Sequence, residues 1–337
     1  MRRRGVFSIV LWILLCVSLG LGLLSTGPAH VSWSVMRACL IAPDSPSVGC
    51  EIFWHLRFLH LLSLGESGMA LGGAGLLFQG LLKNPLADPG LLGVSAGAGF
   101  LMLLGMVLAS RFLFLETPGV LMLCAVGGAL GIVWIGALCL QSFGRKVSPF
   151  GVILLGILLN AFFIALTEGI LLIRPASTLQ MYFAWSLSGE ARLSLAWMGY
   201  LGVFIVVLLS LMARMTQKLD LWQLGLEEAC ALGVNPQRFY YQILTLASLL
   251  TACSVLLTGP IAFVGLLAPH FGRALVGPRH GKLLPATLLM AVLLVWGAGW
   301  LCALVSLMAI PLSLMLTVIG VPSVMILLVR QGRVFYE

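Results

Sequence analysis

Apolar segments long enough to cross a membrane follow one another along almost the whole of this sequence. Hydrophobic residues make up 61% of the chain and charged residues 9%, whereas a soluble domain has about 45–50% apolar and about 25% charged residues. A backbone in lipid must satisfy its own hydrogen bonds, so each apolar segment of about 20 residues predicts a spanning helix. The sequence therefore predicts an all-α, polytopic membrane protein. The net charge of +8 does not indicate nucleic-acid binding, because basic residues in such a protein mainly mark cytoplasmic loops.

We expect about ten transmembrane helices in a single transmembrane domain over residues 1–337. The basic start is followed by a long apolar run without an A-x-A cleavage pattern, so we interpret it as a retained first span. The stretch 27–54 is predicted to be a long loop, in which Cys39 and Cys50 could form a disulfide or remain two free thiols. The predicted spans are 5–24, 55–82, 91–109, 118–140, 149–173, 195–213, 237–257, 262–277, 283–305 and 311–330.

The basic residues set the predicted orientation. With the N-terminus inside, fourteen of the 19 Lys and Arg residues fall in segments predicted to be cytoplasmic and five in segments predicted to be outside. This asymmetry is typical of a correct span count, since one lost internal span would invert every later loop. We therefore expect a multi-pass protein of the bacterial inner membrane with both termini in the cytoplasm.

One polar segment interrupts the apolar pattern between the sixth and seventh predicted spans. Residues 219–235 (LDLWQLGLEEACALGVN), within a cytoplasmic stretch of about 214–236, combine Glu227 and Glu228 with an intermittent apolar face at helical spacing. Gly233 stands where a helix needs a left-handed C-terminal cap. The segment is too short and too charged to span a membrane, so we predict that it docks on another protein.

Catalytic and cofactor-binding motifs are weak in this sequence. The one Gly-Lys pair, Gly281-Lys282, is followed by Leu283 and not by Ser or Thr, so the nucleotide-binding loop is missing and ATP would have to be hydrolysed by another chain. Residues 93–97 match the hydrolase pattern G-x-S-x-G around Ser95, but small-residue helix packing explains them as well. Three histidines fall in segments predicted to be outside, where unassociated loop histidines are commoner than a metal site. We predict neither a cofactor nor a metal in this chain.

Two carboxylates fall inside predicted spans, Glu66 in the second and Glu168 in the fifth. A charged residue there costs roughly 2.5–3.5 kcal/mol on insertion scales and usually marks a cavity, a pair or a proton route. Asn160 and Thr167 lie on the same helical face as Glu168. This polar stripe could line a water-filled passage, or it could only bond neighbouring helices.

Four longer motifs together resemble a known family. They are GGAGLLFQGLLKNPLADPGLLGVSAGAGF (72–100), LGLEEACALGV (224–234), GPIAFVGLLAPHFGRALVG (259–277) and GVPSVMILLVR (320–330). Nearly the whole chain resembles, in order, the permeases of the iron-siderophore, haem and vitamin B12 ATP-binding-cassette (ABC) importers, which are type II importers. The resemblance implies a homodimer, two cytoplasmic ATPases that bind ATP and Mg²⁺, and a periplasmic or lipoprotein substrate-binding protein on the outer face.

The resemblance also implies roles for particular residues. The segment matching 219–235 would be the coupling element that fits a groove of the ATPase, and the fifth and tenth spans would border the central pathway. The pathway candidates are Asn160, Thr167 and Glu168. The candidate coupling residues are Leu224, Gly225, Glu227, Glu228, Ala231, Gly233 and Val234.

The chain departs from the family pattern at its outer face. The family often has Arg-Leu-Pro-Arg before the second span, whose arginines meet acids of the binding protein, and here Arg57-Phe-Leu-His60 stands in its place. Another outer arginine of the family is replaced by Cys302. We keep Arg57 and His60 as candidates for docking the binding protein.

The sequence thus predicts the permease subunit of an ATP-driven importer for an iron chelate, haem or a corrinoid. Three alternatives stay open. The chain could carry an oxyanion such as molybdate, or it could be an ion-coupled secondary transporter with Glu168 as proton carrier. It could also be an intramembrane hydrolase that uses Ser95.

Overall fold

Helices account for nearly all of the architecture in the computed structural model. The structure describes residues 2–26, 32–42, 47–109, 118–142, 149–188, 193–305 and 310–334, and this part of the chain contains no β-strand. The helices are α1 (Arg2–Ser25), α2 (Trp33–Ile41), α3 (Val48–Ile52), α4 (Leu59–Leu82), α5 (Val94–Ala109), α6 (Pro118–Ser142), α7 (Pro149–Leu172), α8 (Ala176–Ser188), α9 (Leu195–Leu224), α10 (Leu226–Ala231), α11 (Pro236–Thr258), α12 (Val264–Val276), α13 (His280–Leu304) and α14 (Leu312–Val334). One π-helical turn, Phe53–Phe58, joins α3 to α4.

The predicted spans are confirmed as helices. Within the described ranges, six helices are long and apolar enough to cross a membrane, and four shorter apolar helices correspond to the first, third, eighth and tenth predicted spans. Most observed ends lie within a few residues of the predicted ones. The largest difference is at α9, which the sequence predicts to end at residue 213 and which continues as a helix to Leu224.

Helix α4 forms the centre of the bundle, and from Leu64 to its end nearly every residue is buried. Its glycines allow neighbouring backbones to approach closely. A Cβ atom at Gly68 would lie 3.0 Å from the Ala291 carbonyl oxygen of α13, and a Cβ at Gly75 would overlap the Gly265 carbonyl of α12. The small-residue spacing in the second predicted span therefore marks a true helix contact.

Two stretches predicted as loops contain helices. Helices α2 and α3 lie within 27–54, where Ser32 and Ser47 cap their N-termini by accepting backbone N–H bonds. Helix α8 lies between the fifth and sixth spans. These helices are short and lack a long apolar period, so hydrophobic periodicity does not predict them. Of the two states left open for Cys39 and Cys50, the structure has the disulfide, with 5.2 Å between the Cα atoms.

Candidate functional site

The predicted coupling segment is divided at Gly225. The helical spacing over 219–235 does not correspond to a single helix, because α9 continues to Leu224 and a separate short helix, α10, follows. Gly225 has φ of 151°, a backbone conformation that only glycine adopts readily. We use "coupling segment" for residues 219–235, which comprise the end of α9, α10 and the turn before α11.

A Schellman turn closes α10, as the position of Gly233 predicts. The Val234 N–H donates to the Ala229 carbonyl at 2.9 Å, and the Gly233 N–H donates to the Cys230 carbonyl at 3.0 Å. Gly233 has φ of 87°, and both Val234 and Ala229 are buried. These are the bonds and the apolar contact that define this cap. Val234 therefore stabilises the turn from inside and does not present a surface to a partner.

The outward surface of the coupling segment combines leucines with two acids. Leu224, Leu226 and Leu232 are each more than half exposed. Glu227 and Glu228 are also exposed, as are Ala231 and Gly233. Large apolar side chains grouped in this way, with charges beside them, are typical of a protein-binding surface.

The coupling segment is tied to the inner end of α4. The Trp222 indole Nε1 donates to the Leu81 carbonyl at 3.0 Å, and the Gln223 amide Nε2 donates to the Gly80 carbonyl at 2.8 Å. The Lys83 Nζ lies 5.9 Å from the centre of the Trp222 ring, within the range of a cation–π contact. The end of α9, which leads directly into α10, is therefore bonded to the inner end of α4.

A second link joins the coupling segment to α13. One carboxylate oxygen of Asp220, Oδ1, accepts the His280 backbone N–H at 3.0 Å and lies 2.6 Å from the His280 ring Nδ1. His280 is the first residue of α13 and is buried, whereas Asp220 is partly exposed. Asp220 thus occupies the N-terminus of α13, where a carboxylate is favoured by the unpaired N–H groups and the helix dipole.

A cavity of about 490 Å³ lies between α5, α7, α8 and the loops that precede α5 and α12. All three predicted pathway residues, Asn160, Thr167 and Glu168, line it. The Thr167 hydroxyl donates to the Phe163 carbonyl at 2.8 Å within α7, and Glu168 is exposed. The polar stripe of the fifth span therefore faces open space in this chain. Glu66, the other intramembrane acid, is not in the cavity wall, and its carboxyl lies against Gly202 of α9.

Asp88 and Ser95 also line the cavity, although the sequence did not predict them as pathway residues. Asp88 Oδ2 accepts the Gly90 N–H at 2.9 Å. Asp88 Oδ1 and Ser95 Oγ are buried and have no hydrogen-bond partner in the described part of the chain. In the sequence, Asp88 belongs to the NPLADP turn and Ser95 to the GVSAG motif, but neither pattern predicts that the two residues share a site. The packing of α5 against α7 brings both to the same cavity.

Two short helices begin at the cavity. Ser95 lies in the first turn of α5, and Phe263, the N-cap of α12, is a lining residue in a left-handed conformation with φ of 68°. A Cβ atom at Gly320 of α14 would lie 2.5 Å from the Phe263 ring, so the tenth span holds this wall in place. The N-termini of α5 and α12 bring partial positive charge, and Asp88 and Glu168 bring carboxyl groups to the same wall.

Burial raises the pKa of the Asp88 carboxyl from 3.8 to about 6, although N–H groups of Gly90 and Leu91 oppose the rise. The folded state thus binds this proton more tightly than the unfolded state, so the stability that Asp88 contributes is complete below about pH 4 and is lost as the pH rises to about 6. We expect Asp88→Asn to raise the free energy of unfolding by up to about 3 kcal/mol at neutral pH and to change it little near pH 4. Thermal unfolding of the purified protein at both pH values checks this, and a variant less stable than the parent at neutral pH contradicts it.

The two predicted docking residues lie three positions apart in the chain, at the start of the second span. Arg57 is in the π-helical turn and is half-buried, and His60 is in the first turn of α4 and is exposed. Cys302, near the end of α13, is half-buried.

This architecture, with its apolar helices, internal cavity and exposed coupling segment, defines a polytopic membrane transport protein. The chain belongs to the FecCD transport family, whose model matches residues 10–330. It is 30% identical over 338 residues to the ferric enterobactin transport system permease protein FepG of Escherichia coli, covering 98% of both chains. It is 32% identical to the hemin transport system permease protein HmuU of Yersinia pestis, covering 83% of this chain and 85% of that one.

A solved structure has the same fold. It is described as a metal-chelate type ABC transporter in an inward-facing conformation, and it superposes with a TM-score of 0.80 at 25% identity, covering 97% of this chain and 99% of the other. The family relationship makes this chain an ABC transport permease and not an enzyme. The hydrolase interpretation of Ser95 is therefore dropped, since Ser95 opens an apolar helix in place of the strand-to-helix turn that the hydrolase motif requires.

Proposed function

We propose that this chain is the membrane subunit of an importer that moves a metal chelate, such as a ferric siderophore, haem or a corrinoid, across the bacterial inner membrane. ATP and Mg²⁺ are bound by a separate cytoplasmic ATPase, two copies of which serve one transporter. The observation that carries this proposal is the coupling segment. Its exposed leucines and acids lie on and around the short helix α10, directly after the end of α9, where Trp222 is bonded to α4 and Asp220 to α13.

The transport pathway lies between this chain and a second copy of it. In support, α7 has an exposed apolar face, with Leu154, Leu158 and Phe162 all about half exposed, and the cavity opens beside that helix. A second bundle packed near α7 would cover part of this face and leave Asn160, Thr167 and Glu168 at the edge of a shared passage. Closure of the ATPases would move α10, and α4 and α13 would pass the movement to the pathway.

The outer face receives a periplasmic or lipoprotein substrate-binding protein at Arg57 and His60, and both termini lie in the cytoplasm. One arginine replaces the usual two at this place, so electrostatic attraction of the binding protein is weaker than in relatives with both. Such exposed charges chiefly raise the rate at which the binding protein and the membrane subunit associate.

Glu168 could instead carry protons in an ion-coupled transporter, because it is the exposed acid of the cavity wall. We expect Glu168→Gln to leave ATP-driven uptake within about fivefold of the parent, since removing one exposed charge changes an interaction by about 1 kcal/mol or less. Uptake into proteoliposomes in which the ATPase side of the transporter faces the lumen, measured with and without a protonophore, tests this. Loss of uptake in the variant together with loss under the protonophore would favour the proton-coupled mechanism.

Co-purification tests the proposed assembly directly. The chain, extracted from its native membrane in mild detergent, should bring down an ABC ATPase in equal number. The assembly with its binding protein is then offered ferric enterobactin, haem, a corrinoid and molybdate in parallel uptake assays. Uptake of molybdate alone would select the oxyanion alternative, and isolation without any ATPase would contradict the proposal.

A further inference from the structure

Helix α2 presents an unusual outward face. Trp33, Leu40 and Ile41 are 54%, 61% and 85% exposed, and with Arg37 they follow the i, i+4, i+7 and i+8 spacing of one helix face. The opposite side carries Met36 and Cys39, which are both buried. The face formed by these four residues is thus apolar apart from a single cation.

The orientation of this face is fixed. Cys39 is bonded to Cys50 of α3, so α2 cannot rotate about its own axis without breaking the disulfide. Met36, Cys39, Cys50 and Phe53 form one buried cluster, and Leu24 of α1 packs against it. The outward position of Trp33, Leu40 and Ile41 is therefore built into the fold.

The same cluster sets the depth of α2. Leu24 lies in the last turn of α1, and α1 exposes Leu14, Leu15, Val17 and Leu21 in its second half. An apolar face on a first membrane span is a lipid-facing surface. The buried side of α2 packs where this lipid-facing surface ends, so its exposed side continues the surface at the level of the lipid headgroups.

We propose that α2 is an interfacial helix whose face of Trp33, Arg37, Leu40 and Ile41 lies in the headgroup region of the lipid bilayer. The composition fits this environment, because Trp is enriched at membrane interfaces and Arg extends its charge to the headgroups while its stem contacts apolar chains. Amphipathic helices of this kind lie in the interface plane. The inference does not depend on which substrate the protein carries.

Site-specific photo-crosslinking in native membranes tests the proposal. Benzoylphenylalanine is placed singly at 33, 40 and 41 in the full chain, and the purified protein is analysed by mass spectrometry for phospholipid adducts. The buried position 36 and the exposed position 231, on α10 of the coupling segment, serve as controls. We expect lipid adducts at 33, 40 and 41 in at least about tenfold higher yield than at either control, as for a helix seated in lipid.

Three results would overturn the proposal. One is a lipid yield at 33, 40 and 41 no higher than at 231, which keeps the test decisive even where the variant at 36 does not fold. Another is crosslinking of these positions mainly to the substrate-binding protein, which would make α2 part of that docking surface. The third is crosslinking mainly to a second copy of the chain, which would place α2 in the dimer interface.

Discussion

Replacing both Glu227 and Glu228 by lysine is expected to lower ATP-dependent uptake by at least about tenfold while the transporter remains folded. Both side chains are exposed on α10, where they are free to meet basic residues of an ATPase. Like charges brought together across an interface cost several kcal/mol, and about 1.4 kcal/mol corresponds to a factor of ten. The ATPase activity should persist, because the double variant changes the contact between the subunits and leaves the nucleotide site intact.

Uptake and ATP hydrolysis measured in the same proteoliposomes check this expectation. Glu51→Lys is the matched control, since Glu51 is an exposed acid on α3, far along the chain from the coupling segment. It should leave the ratio of substrate moved to ATP hydrolysed unchanged. A double variant with the parent ratio and parent uptake would mean that α10 is not the coupling element.

Gln79→Leu is expected to give the largest loss of stability, about 2–4 kcal/mol, because three hydrogen bonds of one buried side chain disappear together. The Gln79 Nε2 group donates to the carbonyls of Gly265 and Leu266 in α12, and its Oε1 accepts from the Arg273 guanidinium. Leucine would fill the space but leave the cation and both carbonyls without this partner. Helix α12 would then lose its main polar link to α4.

The same substitution at Gln223 is the control for this prediction. Gln223 is exposed and donates one bond, to the Gly80 carbonyl, so Gln223→Leu should cost about 1 kcal/mol or less. Thermal unfolding of both purified variants in one detergent compares them. Combining Gln79→Leu with Arg273→Leu should recover part of the loss, since the unpaired cation is removed. Equal losses for the two single variants would contradict the assigned role of Gln79.

The spans could be predicted from the sequence because each depends on its own apolar length. Hydropathy along 118–140 or 283–305 requires no knowledge of any other helix, and α6 and α13 confirm both segments. The cap at Gly233 was predictable for the same reason, since a left-handed residue after a helix is a local requirement.

The remaining features depend on contacts between residues far apart in the chain. Gln79 and Arg273 are separated by 194 residues, and no local pattern links them. Asp88 and Ser95 line the same cavity as Asn160 only because α5 packs on α7. The break at Gly225 was missed because the apolar spacing on both sides fits one helix, and only the backbone conformation divides it.

We propose that this chain is a gate moved from the cytoplasmic side by an ATPase that it does not contain. The direct measurement is uptake of a radiolabelled ferric chelate by proteoliposomes, comparing the chain alone with the chain plus its ATPase and binding protein. Accumulation against a gradient is expected only in the complete assembly with ATP, and none is expected for the chain alone under any ion gradient. Accumulation by the chain alone would contradict this role as an ATPase-driven gate.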